Sequence, residues 1–177
     1  MKSKPTILTI IMIGIGCSIS GCYEPLMPTP IAHTDPEINA FDDLPEDRKT
    51  TQVEVFYFTN RNGKGDLDNR RYSNGIKDIL HLGVSTVQIG DNNMTWEQLH
   101  EISNTAERKK PVPLIMKNAT EYGLLSTTIP EDYKTDLPVG DTAFAEAVNR
   151  QFAQTWNKEI NIYVHGFLVD FYNANAI

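Results

Sequence analysis

A helix that runs straight into a strand is the feature that most limits what this chain can build. Phe144, Val148, Phe152 and Trp156 recur every four residues, the spacing that puts apolar side chains on one helical face. The stripe predicts a helix over 142–157. Ile160-Asn161-Ile162-Tyr163-Val164 follows almost at once, and its β-branched and aromatic residues predict a strand. His165-Gly166 breaks that run, and the chain ends at Ile177. A helix packed beside a strand calls for a layered α/β arrangement.

Upstream elements fit the same expectation. Val53–Thr59 first alternates and then becomes continuously apolar, which predicts a strand. Asn60 to Asp66 is rich in turn residues and reads as a loop. A calcium loop built on Asn60, Asn62, Asp66 and Asp68 is set aside, because the distal glutamate is missing and Arg61 and Lys64 intervene. A second strand is expected over 84–89. Thr95-Trp96-Glu97-Gln98 has capping-box form, and Trp96, Leu99, Ile102 and Ala106 share a face, so a short helix is expected over 95–108. His100 reads as a solvated residue on it. Pro113 makes 112–116 at most an edge strand. Residues 117–141 are mixed, and Asp141 is placed to cap the second helix.

The first residues have another purpose. Lys2 and Lys4 precede the apolar run Ile7–Gly16, which is shorter than the ~20 residues a spanning helix needs and suits a secretory signal. Ile19-Ser20-Gly21-Cys22 follows. Small residues directly before a cysteine resemble the lipobox of bacterial lipoproteins. That resemblance implies cleavage after residue 21, a lipid on Cys22 and attachment to a membrane surface. Cys17 fits the pattern less well. Tyr23, where that family's inner-membrane retention signal would be aspartate, leans the expectation toward an outer membrane.

With residues 1–21 removed, 14 basic residues face 23 acidic ones, a net charge of −9 in place of −7. That balance argues against nucleic acid as a partner. Residues 22–50 hold Pro25, Pro28, Pro30 and Pro36 and then Asp42, Asp43, Glu46 and Asp47, and read as an extended tether. Residues 51–177 form the expected domain.

Two stretches of that domain resemble a family of bacterial α/β-hydrolases of undefined substrate. One is Val55-Phe56-Tyr57-Phe58-Thr59-Asn60-Arg61. The other is Ile162-Tyr163-Val164-His165-Gly166-Phe167, with Phe171 and Ala174. Tyr72 and Gly83 fit between them. Leu168 and Ile89-Gly90 depart from the family pattern.

The resemblance implies the N-terminal portion of an α/β-hydrolase-like layered fold, incomplete as given. It implies an oxyanion-hole loop at His165, Gly166 and Phe167, whose backbone N–H groups would face developing negative charge. His165 would shape that loop rather than act as a base. The substrate class implied is an ester or other acyl compound, and no cofactor or metal is called for. No nucleophile is assignable. Ser85 has Gly83 before it but Val87 after it, and Ser73 has Gly75 after it but Arg71 before it, so neither makes a G-x-S-x-G turn. A non-catalytic envelope lipoprotein with a binding or structural role is the alternative.

Overall fold

The computed structural model describes residues 25–27, 44–105, 108, 110–155, 158–165 and 169–176. Cys22, Gly166, Phe167 and Leu168 lie outside these residues. The framework is one antiparallel sheet of three strands in the order β1-β2-β3, with β1 spanning Gln52–Lys64, β2 Arg71–Ile89 and β3 Leu114–Leu124. Helix α1 spans Trp96–Ser103, α2 Asp141–Gln154 and α3 Phe171–Asn175.

The expected layered α/β-hydrolase-like fold is not what forms. The fold is β-rich and antiparallel, because β2 and β3 run much further than the sequence signals indicate. The turn-rich stretch after Thr59 stays in β1 to Lys64. Strand β2 begins at Arg71 rather than near residue 84. Pro113 sits just before β3 and not inside it, so the strand continues through the mixed stretch to Leu124 as an edge.

The predicted strand at 160–164 does not form. Residues 160–165 have no regular structure and are exposed. Strands gain most of their stability from pairing partners, and no strand among the described residues pairs with this segment. Helix α1 has the expected capping box: Thr95 N–H donates to Gln98 Oε1 at 3.0 Å, and Gln98 N–H donates to Thr95 Oγ1 at 3.3 Å. Asp141 does not cap α2. The cap position is Gly140, without a side-chain cap bond, and the Asp141 carboxylate instead accepts from Ser126 N–H at 3.0 Å and from the Ser126 hydroxyl. Those bonds hold the Asp141 carboxyl below its ordinary pKa.

The β1–β2 hairpin is irregular in a way that shapes everything above it. Thr59 faces His81, but Arg61 faces Ile76 and Gly63 faces Tyr72. Between these pairs β2 has extra residues, and such bulges bend and twist a hairpin. The bend carries the tip back across the sheet, where Arg70 N–H donates to the Ala119 carbonyl of β3 at 2.7 Å. Helix α2 covers the other face, with Phe144 edge-on to Phe56 at 5.6 Å and tilted against Phe58 at 4.8 Å. Its Ala147 is buried. At the start of β3, Pro25 bridges Pro113, and Leu26 N–H donates to the Val112 carbonyl at 2.9 Å.

Candidate functional site

The face beneath the curled tip holds the chain's polar interior. Side chains of alternate residues share one side of a strand, and Tyr57, Gly83 and Glu121 meet there in register. Gly83 is the gap in that row. A Cβ at this position would overlap the Thr120 carbonyl and the Tyr57 hydroxyl, so the missing side chain is what lets the Tyr57 ring lie across β2. The Tyr57 hydroxyl then donates to the Thr120 carbonyl at 3.2 Å and sits 3.2 Å from the Tyr72 hydroxyl.

Tyr72 continues the chain of contacts. Its hydroxyl donates to Glu121 Oε2 at 2.9 Å. The other carboxylate oxygen lies 2.7 Å from His81 Nδ1. Arg70 Nε lies 2.5 Å from Glu121 Oε2, but its N–H is not aimed at an acceptor. This is a charge contact rather than an aligned hydrogen bond. Arg70 Nη1 donates to the Gly65 carbonyl at 2.6 Å. The Glu121 side chain is 0% exposed.

The electrostatics follow from that closure. Burial works to raise the Glu121 pKa, but the His81 hydrogen bond and charge, the Tyr72 hydroxyl and Arg70 outweigh it, and the carboxyl is held below its ordinary value. Burial pushes both tyrosine hydroxyls well above theirs, with the Glu121 charge adding to the shift. The tyrosines are therefore neutral donors and Glu121 an anion. Each acid–base group is committed to another, and Ser85 is no exception. Its hydroxyl lies 3.2 Å from the Val55 carbonyl and 2.8 Å from Asn175 Oδ1, neither of which is a base.

The two stretches that carried the hydrolase resemblance are brought together. Arg61 Nη2 donates to the Val169 carbonyl at 2.5 Å, and Arg61 Nη1 donates to Asn74 Oδ1 at 2.9 Å. Phe171 is buried, with ring centroids 4.9 Å from Tyr57 and 4.5 Å from Tyr72. Asp170 caps α3 by accepting from Asn173 N–H at 2.8 Å. The segment after residue 168 is thus pinned at Val169 and Phe171, while His165 on its other side is exposed. His81, Glu121 and Arg70 carry the strongest electrostatics here, and nothing in their sequence context singled them out.

No family model, curated protein or solved structure matches the chain.

The site therefore rests on its own geometry. Among the described residues, no group of three or more His, Cys, Asp or Glu side chains is arranged to hold a metal. No helix among them is long and apolar enough to cross a membrane. A groove of about 240 Å³ lies beside the tip, lined by Arg70, Arg71, Lys117, Asn118 and Tyr172 among others. Glu121 already neutralises Arg70 from behind.

Proposed function

We propose that this chain is the leading part of a lipid-anchored envelope hydrolase acting on ester or other acyl substrates. In this reading its residues supply a frame and one oxyanion-donor segment around His165, Gly166 and Phe167, and the nucleophile lies elsewhere. The observation that carries it is the junction of the two resembling stretches. Arg61 grips the Val169 carbonyl, and Phe171 closes over Tyr57 and Tyr72. Residues about a hundred positions apart in sequence are held together on the side of the sheet that leads to the His165 segment.

A second reading is a non-catalytic envelope lipoprotein with a binding or structural role. Its support is the closed state of the buried acid–base groups, in which Glu121 takes up Tyr72, His81 and Arg70.

Two measurements separate them. A fluorophosphonate probe applied to the 177-residue chain is expected to label no serine. Labelling would show a nucleophile within the chain and end the frame interpretation. Reading the coding strand past codon 177 in every frame is expected to reveal G-x-S-x-G within roughly a hundred residues. Its absence there would leave the binding role.

The anchor has its own test. Cys22→Ala is expected to move most of the protein from the membrane to the soluble fraction. Unchanged sedimentation with membranes would refute lipidation at Cys22.

A further inference from the structure

Two asparagine–glycine pairs meet in the bulged part of the hairpin, Asn62-Gly63 on β1 and Asn74-Gly75 on β2. An asparagine before a glycine is open to attack by the next backbone nitrogen on its own Cγ, because glycine has no side chain to hold the two apart. In an unfolded chain the two pairs share this chemistry equally. The fold separates them.

The register passes from Arg61–Ile76 to Gly63–Tyr72. Ser73, Asn74 and Gly75 therefore stand against Asn62 alone, and the extra residues of a bulge are released from the ladder. Asn74 and Gly75 are also exposed. One atom of the Asn74 side chain is held: Arg61 Nη1 donates to its Oδ1 at 2.9 Å. A guanidinium on that oxygen draws electrons from Cγ and faces the negative charge that develops when a nucleophile attacks there.

Asn62-Gly63 is placed otherwise. Gly63 is in register with Tyr72 and lies so close to the Arg70 guanidinium that a Cβ there would overlap it. Both residues are half-buried. Asn62 Oδ1 is buried with no hydrogen-bond donor among the described residues, so nothing offsets a charge forming on it.

We propose that Asn74 is a site of self-modification, deamidating through a succinimide with Arg61 polarising the amide, and that the fold protects Asn62. The Gly75 backbone nitrogen attacks Asn74 Cγ. A Cγ–N bond forms, the Cγ–Nδ2 bond breaks, and the Gly75 amide proton leaves with the side-chain nitrogen as ammonia. Water then opens the ring, giving aspartate by attack at one carbonyl and isoaspartate by attack at the other. The new carboxylate faces Arg61, an exposed pairing that changes stability little. The extra chain carbon of isoaspartate enters where the ladder is already interrupted. Arg61 also holds the Val169 carbonyl, so the modification falls where β1 meets the segment leading into α3.

Peptide mapping by mass spectrometry tests this on the purified full chain held folded in mildly alkaline buffer. Conversion of amide to acid is expected several-fold faster at Asn74 than at Asn62. In concentrated urea the two rates are expected to become similar. Arg61→Gln is expected to slow conversion at Asn74 several-fold in buffer and to change nothing in urea. The comparison of the parent chain in buffer and in urea stands whether or not that variant folds. Equal conversion at the two sites in buffer would overturn the proposal, as would conversion at neither site. So would a preference for Asn74 that persists in urea, since local sequence and not the fold would then set it. A folded Arg61→Gln chain that converts at the parent rate would remove Arg61 from the reaction.

Discussion

Glu121→Ala is expected to destabilise the fold by about 3–5 kcal/mol, the usual result of removing one partner from a buried ion pair. Measured against a total of ~5–15 kcal/mol for a typical domain, that loss brings the protein close to unfolding at room temperature. The reason is what remains behind. Arg70 keeps its charge under the hairpin tip, Tyr72 loses the acceptor for its hydroxyl, and His81 loses its carboxylate. Chemical denaturation of parent and variant measures the difference, and a change below about 1 kcal/mol would mean that water already reaches this site. Glu121→Gln is expected to fall between them, since the amide keeps an acceptor for Tyr72 but not the charge. The variant should also alter the acid limb of stability. The Glu121 carboxyl is depressed in the folded protein, so its contribution is present above the ordinary carboxylate pKa and is lost as pH falls through the lower, folded-state value. Glu121→Gln should flatten that limb.

Gly83→Ala is expected to be nearly as damaging, for a steric reason. The new methyl group would enter the space of the Tyr57 ring and of the Thr120 carbonyl on the neighbouring strand. Overfilling a packed interior typically costs 1–3 kcal/mol. Here the displaced ring also gives up its bonds to Tyr72 and Thr120, so a loss of about 3 kcal/mol or more is expected. Thermal unfolding of four chains isolates the cause. Tyr57→Leu removes the ring that the methyl group strikes. The double variant Tyr57→Leu/Gly83→Ala should therefore lose clearly less than the two single losses added together. Additive losses would show that Tyr57 is not the obstacle.

What was legible in the sequence had local causes. The capping box at Thr95 and Gln98 needs only four consecutive residues, and it forms. The stripe on α2 needs only one helical face, and Phe144 does pack on the sheet. The first strand declared itself by Val53–Thr59. What was not legible depends on distant partners. Turn-type residues from Asn60 to Lys64 stay extended because β2 pairs with them. Ile160–Val164 has the stronger strand composition of the two, yet no strand among the described residues pairs with it. The β-rich fold class is hidden in the sequence for the same reason. A helix followed by β-favouring residues reads as α/β only if those residues find a sheet. The buried cluster was invisible too, since Arg70, His81 and Glu121 lie apart in sequence and meet only when β2 pairs with β3 and the hairpin tip folds back over β3. Tyr57, Tyr72 and Phe171 form one packed unit, and the absence of a side chain at Gly83 leaves room for it.

The contact of Pro25 and Leu26 with the start of β3 bears on how the stretch before β1 joins the domain. Proline-rich, acidic stretches are commonly spacers, and residues 22–50 have that composition. Yet Leu26 N–H is bonded to Val112, and Arg108 Nη1 donates to the Leu26 carbonyl at 2.8 Å, so the spacer is fastened to the domain close to its beginning. The chain therefore enters the domain at the corner where β3 begins, a junction separate from the strand pairing and remote in sequence from the first residue of β1.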